Sequence, residues 1–285
     1  MLEVKNIRVS SFDLDHLDIF WEVGDTDEEI SRADFYILRS TDGPVGPFER
    51  IAGPFVNTYV FRDPDVHLLH KWRKYYYKIQ VVNKDTAVEQ VFGPEYLRAR
   101  PDRIALEIQR REQLLFREFA GRKALLYPRL SFGQRCRTCW DQGPRGNTIS
   151  RARQQNCPVC YDSTYVGGFS TPSLIYIQID PSVEHVQRLD VAERAPVDTT
   201  ARLSSFPPVK AKDMIVEAEN RRWQVERVNS TRKLGAVVRQ ELTLHEIPRG
   251  DIRYKVPVDS VALEGPSPER EFTRPMTSDH VMGPL

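Results

Sequence analysis

The stretches Arg135-Cys136-Arg137-Thr138-Cys139-Trp140 and Asn156-Cys157-Pro158-Val159-Cys160-Tyr161 hold all four cysteines of the chain, with seventeen residues between the second and the third. Each pair is a Cys-x-x-Cys knuckle, a tight turn that aims two sulfurs at one point. Two knuckles together supply four thiolates at about 2.3 Å from a tetrahedral zinc ion. The spacing predicts a zinc ribbon over residues 130–172, with Cys136, Cys139, Cys157 and Cys160 as ligands of one Zn2+. Four thiolates leave no open coordination position for water or substrate, so the ion is expected to be structural. Paired disulfides or a redox pair are the alternatives, although a thioredoxin-like motif needs only one pair. A segment this small has little core of its own, and zinc would contribute folding free energy on the order of 10 kcal/mol.

Between the knuckles, Gly143, Pro144 and Gly146 exclude a continuous helix and predict turns between short strands. Arg135, Arg137, Arg145, Arg151 and Arg153 are opposed here by Asp141 alone. They are candidates for phosphate or partner contact, against a solvated or protein-facing surface.

On the N-terminal side, residues 1–100 read as short strands. Leu17, Ile19, Trp21 and Val23 alternate with other residues, as do Tyr75, Tyr77, Ile79 and Val81. Phe35-Tyr36-Ile37-Leu38-Arg39 lies between them, closed by the turn-rich Asp42-Gly43-Pro44-Val45-Gly46-Pro47. An antiparallel sandwich follows, with Trp21 in its core. The acidic residues Asp13, Asp15 and Asp18 and the run Asp25 to Glu29 lack the glycine and glutamate offsets of a calcium loop, so exposed loops are expected there.

Residues 101–129 read as a linker helix. Pro101 suits a first turn, and Ile104, Ile108, Leu115 and Phe119 share a narrow arc at 100° per residue. That apolar face is expected to pack on one of the chain's own domains or in a partner's groove, and Gly121 to close the helix. Residues 173–260 return to strands: Ile175, Ile177 and Ile179 alternate, Met214–Val216 and Trp223–Val228 flank a turn at Glu219-Asn220, and Val238, Leu242 and Leu244 follow. A small β-barrel or second sandwich is expected. Asp190 to Lys210, with Pro196, Pro207 and Pro208, reads as a long loop, and residues 261–285 as an extended polar tail. The fold class is therefore mainly β and multidomain.

The 285 residues suffice for two or three small domains, and a net charge of +1 with 28% charged residues announces neither a nucleic-acid binder nor a membrane protein. No run of eighteen apolar residues exists, and the opening Met-Leu-Glu-Val-Lys-Asn lacks the pattern of a secretory leader. Phosphate-binding, dinucleotide, zinc-protease and nucleophile-elbow motifs are absent, and His16, His67, His70, His185, His245 and His280 are scattered. An enzyme is not expected.

Trp21, the strand end Leu38-Arg39-Ser40 followed by Gly46-Pro47-Phe48, and Tyr77-Lys78-Ile79-Gln80-Val81-Val82-Asn83 make the first block resemble a fibronectin type III domain. Such domains are adhesive or spacing modules with no fixed chemistry.

The rest resembles virion structural proteins of tailed phages. The resemblance is carried by the arginine-rich helix leading into Gly121-Arg122-Lys123-Ala124-Leu125-Leu126-Tyr127, the ribbon ending Cys157-Pro158-Val159-Cys160-Tyr161, and Tyr165-Val166-Gly167-Gly168-Phe169. Lys212-Asp213-Met214-Ile215-Val216, Arg222-Trp223-Gln224-Val225 and Arg239-Gln240-Glu241-Leu242 resemble the barrels of head-closure and neck proteins. The resemblance implies a non-enzymatic structural protein that forms or decorates the neck ring, joins portal and head to tail, and seals the DNA channel. It implies a homo-oligomeric ring, portal, adaptor and tail proteins as partners, and DNA only as non-specific channel cargo. It also implies no membrane or small-molecule substrate, and a virion location after assembly in the host cytoplasm. The alternative is a zinc-ribbon nucleic-acid-binding protein using the Arg135 to Arg153 patch.

Overall fold

The computed structural model describes residues 2–12, 16–26, 30–66, 74–98, 102–139, 156–180, 198–234, 236–258 and 263. The chain is mainly β. Seven strands come first: β1 (Val4–Ser10), β2 (Leu17–Val23), β3 (Ala33–Ser40), β4 (Glu49–Phe55), β5 (Val60–Asp63), β6 (Tyr76–Asn83) and β7 (Glu89–Tyr96). They form a three-stranded sheet in the order β1-β2-β5 and a four-stranded sheet in the order β4-β3-β6-β7, all pairs antiparallel. The period-two residues read from the sequence meet between the sheets: Leu17, Ile19, Trp21 and Val23 pack with Phe35, Ile37, Tyr77, Ile79 and Val81 in one core. Trp21 is buried there between Phe35, Phe55 and Tyr59.

The strands also carry buried charge. Tyr77 Oη donates to Asp63 at 2.8 Å, and Arg39 Nη1 lies 3.0 Å from both carboxylate oxygens. Asp18, expected in an exposed loop, instead lies within β2 opposite Arg62 of β5. Its carboxylate is fully buried and takes that guanidinium at 2.8 and 3.3 Å. A buried carboxylate needs such a partner, and the residue directly across the β2–β5 ladder supplies it.

Helix α1 (Arg103–Leu115) is capped by Asp102, whose side chain accepts from the backbone N–H groups of Ile104 and Ala105 at 2.8 and 3.1 Å. A single π turn, Phe116–Ala120, ends it before Gly121. The helix packs on its own barrel, but not through the face expected from the sequence. Ala105, Leu106, Gln109 and Phe116 are buried, while Ile104, Leu115 and Phe119 are exposed. Two polar contacts choose this face: the Gln109 amide donates to the Val237 carbonyl, and Glu112 holds the Arg239 guanidinium through both oxygens at 2.8–2.9 Å.

The expected linker helix over 101–129 is also too long, because its last part is β8 (Arg122–Tyr127). This strand and β9 (Ser173–Asp180), β10 (Asp198–Ser204), β11 (Met214–Glu217), β12 (Arg222–Lys233) and β13 (Ala236–Glu246) close a six-stranded barrel in the order β10-β13-β12-β11-β8-β9. Ala124 and Leu126 face the barrel core with Ile175, Ile177, Leu203, Ile215, Trp223 and Leu244. Leu125 and Tyr127 face the other way, into a second cluster with Phe169, Met214, Val216 and Ile247.

Buried on both faces, β8 shows no alternation in sequence. The long loop expected over Asp190 to Lys210 likewise contains β10; the described part begins at Asp198, and residues 190–197 lie outside it. The turn at Glu219-Asn220 stands where it was read, both residues taking positive φ, 64° and 58°. Of the tail at 261–285, only Leu263 is described, against the cluster of Tyr127 and Val256.

Candidate metal centre

The cysteine segment is an insertion in a barrel hairpin. β8 and β9 pair with each other from Arg122↔Ile177 to Leu126↔Ser173, and the chain between them leaves the barrel end and returns. Both knuckles are tight turns: Cys139 N–H donates to Cys136 O at 3.2 Å, and Tyr161 N–H to Cys157 O at 2.9 Å. Cys136 N–H donates to Thr164 O and Val166 N–H to Gln134 O, each at 2.9 Å, which ties the first knuckle to the turn that follows the second. The Asp162 side chain accepts from Cys157 N–H at 3.1 Å. Gly168 sits at φ 72°, and a Cβ there would stand 2.8 Å from the Cys160 carbonyl, so this return of the chain requires glycine.

These turns converge four buried sulfurs, all within 4.8 Å of one another. Across the knuckles, Cys136 Sγ lies 3.9 Å from Cys157 Sγ, and Cys139 Sγ 3.6 Å from Cys160 Sγ. A tetrahedron with 2.3 Å metal–sulfur bonds has edges of about 3.8 Å, whereas a disulfide would bring two sulfurs to about 2.05 Å. The four residues fit a single metal ion and not paired disulfides, and all four cysteines are free.

Burial pushes the Cys139 and Cys160 thiols up, Cys160 to about 11. At Cys157 burial is outweighed by hydrogen bonds from the Cys139 side chain and the Val159 and Cys160 backbone, and the thiol falls to about 7. A cation at the centre supplies the charge that buried thiolates otherwise lack.

The same insertion is built into the sandwich. Thr26 pairs with Gln134 in a parallel bridge, with Thr26 N–H donating to Gly133 O and Arg135 N–H to Thr26 O, each at 3.1 Å. Tyr59 of the sandwich meets Phe132 edge to face at 4.8 Å between ring centres. Asn57 Nδ2 donates to the Phe169 carbonyl at 3.0 Å, and Leu130 and Tyr165 complete the sandwich core. Farther along the seam, Phe206 of the barrel packs tilted against Phe12 and under the Arg62 guanidinium, which lies 3.8 Å from its ring centre. The knot thus stands where sandwich and barrel join.

Of the candidate arginines, Arg135 turns inward: it pairs with Asp25 and lies 4.3 Å above the Tyr165 ring. The Tyr165 hydroxyl also donates to Asp25, at 3.2 Å, and burial pushes that phenol up to about 12, so it stays a donor. Arg137 is exposed. Arg145, Arg151 and Arg153 lie outside the described residues, as do Asp141, His67, His70, His185 and His280. Sequence reasoning missed the seam itself, because Asp25 and Arg135 are 110 residues apart. Among the described residues no helix is long and apolar enough to cross a membrane. No family model matches the chain, and no curated protein matches it.

Proposed function

We propose that this chain is a non-enzymatic structural connector of a phage-like particle, a neck subunit that joins portal and head to tail and carries one structural Zn2+ on Cys136, Cys139, Cys157 and Cys160. One observation carries the reading: the cysteine knot is inserted in a barrel hairpin and bonded along its flank to the sandwich. A metal so placed fixes two β bodies against each other. Four thiolates give it no open position for chemistry, which suits a load-bearing subunit better than a catalyst. The cross-knuckle separations of 3.6 and 3.9 Å support zinc, which favours tetrahedral sulfur.

The paired sheets of three and four strands support a fibronectin type III-like module, displayed outward as a collar or decoration. The closed barrel contains the segments around Met214, Trp223 and Gln240 that resemble head-closure proteins. In a ring, the apolar residues exposed on α1 and its π turn, Ile104, Leu115 and Phe119, are available to a neighbouring subunit. DNA then passes only as cargo.

Native mass spectrometry over a concentration series, with electron microscopy of the same samples, tests the proposal. The expected result is one zinc per chain and a closed homo-oligomeric ring, formed alone or on a portal ring. A chain that stays monomeric in both conditions, and binds DNA with a salt dependence that R151A and R153A reduce, replaces the connector by the nucleic-acid reading.

A further inference from the structure

On the outer wall of the barrel, three adjacent strands bring together Asp198 of β10, Glu226 of β12 and His245 of β13. Asp198 and His245 are direct cross-strand partners, so their side chains leave the sheet on the same face. Glu226 follows the core-facing Val225 and so stands on that outer face too, next to a register irregularity. The β12–β13 register passes from Val225↔Leu244 to Arg227↔Thr243, leaving Glu226 as an extra residue in a bulge. Val225 and Val228 on either side keep packing into the barrel core, and Glu226 and Arg227 both stand outside. The bulge sets Arg227 outside as well, while the Glu226 carboxylate lies 4.0 Å from the His245 ring. Gln224, the residue paired directly with His245 on β12, is drawn aside by a hydrogen bond from Arg253.

We propose that Asp198, Glu226 and His245 form a second metal site, one that takes a divalent first-row transition cation through an imidazole nitrogen and two carboxylate oxygens. His245 Nδ1 lies 2.7 Å from Asp198 Oδ1 and 4.0 Å from Glu226 Oε1, and the three ligand atoms are all within 4.8 Å of one another. A cation with bonds of about 2.0–2.2 Å sets neighbouring N and O ligands about 3.0–3.4 Å apart, inside the range these side chains already span.

Charge supports the same reading. Among the described residues, His245 is the one basic side chain within 4.0 Å of either carboxylate, although the exposed Arg227 is next to Glu226 in the chain. Two carboxylates facing one imidazole are balanced either by a proton on the ring or by a cation in its place. The nitrogen ligand favours iron through zinc over calcium and magnesium, and the two carboxylates also suit manganese. The side chains are partly exposed, so water completes the coordination shell.

The test uses the full chain with its cysteine centre already filled with zinc. Mn2+ is the probe, because thiolate ligands do not suit it. Titration followed by electron paramagnetic resonance reads free Mn2+ directly. The expected result is saturable binding of a single Mn2+, weakened at least about tenfold in H245A and again in D198N, with E226Q intermediate. Circular dichroism confirms that these surface variants stay folded. Absence of saturable binding, or binding that the three substitutions leave unchanged, overturns the proposal. The second outcome would mark adventitious binding elsewhere, and the first would leave the cluster as a proton-bridged ion pair.

Discussion

The Arg135 guanidinium, one residue before Cys136, reaches the carboxylate of Asp25 in the loop that follows β2. The contact joins the cysteine centre to the sandwich and continues the backbone bridge between Thr26 and Gln134. Asp25 is half exposed, so the pair is worth only about 1 kcal/mol. Its effect is expected in local opening rather than in global stability. In D25A, amide hydrogen exchange at Thr26 and Arg135, whose N–H groups form the bridge, should accelerate while the β3–β6 amides keep their protection. Unchanged exchange at Thr26 and Arg135 would show that the bridge stands without the ion pair.

The two faces of α1 give opposite expectations. Phe116 is 2% exposed and Phe119 is 61% exposed. F116A should cost about 3–5 kcal/mol in chemical denaturation, as a large aromatic leaves a packed site. F119A should stay within about 0.5 kcal/mol for the isolated chain. Were α1 packed through the arc of Ile104, Ile108, Leu115 and Phe119, these two values would be reversed.

That arc shows where sequence periodicity ran out. Four apolar residues at helical spacing look like a buried face, yet Gln109 and Glu112 on the other side find specific partners in Val237 and Arg239, some 127 residues away. Strands β2, β3, β6 and β9 were legible because each puts alternate apolar residues into a core. Strand β8 was not, since Ala124 to Tyr127 is buried on both sides. Strand β10 was not, since its inward positions include Thr199 and Ala201, which carry little hydrophobic signal. The convergence of the four cysteines was legible because a Cys-x-x-Cys turn is a local feature. Their placement at a seam was not, because Asp25, Asn57 and Tyr59 meet Arg135, Phe169 and Phe132 of that segment only in the fold. The His245 cluster was hidden for the same reason, with ligands from three strands and a bulge that leaves no mark in composition.

Asp213 supplies a pH signature. Its buried carboxylate accepts from the Arg129 and Lys210 backbone N–H groups at 2.9 and 2.7 Å, but burial outweighs these bonds and raises its pKa from 3.8 to about 6. A folded-state pKa above the unfolded value means that the folded chain holds the proton more tightly. The contribution to stability is complete below pH 3.8 and is lost as pH rises to about 6. The loss is on the order of 3 kcal/mol. Urea denaturation of the wild type and D213N at pH 4 and pH 7 isolates it: the wild type should lose more stability than D213N over this interval. Equal slopes would mean that Asp213 titrates as it does in the unfolded chain.

The most direct measurement pairs zinc content by native mass spectrometry with small-angle X-ray scattering before and after chelation. If the cysteine knot fixes the sandwich to the barrel, the chain holds one zinc, and removing it enlarges the radius of gyration while most β-sheet circular dichroism remains. A chain purified without metal, or one whose scattering profile is the same with and without it, would contradict the claim that a metal centre holds the two β bodies together.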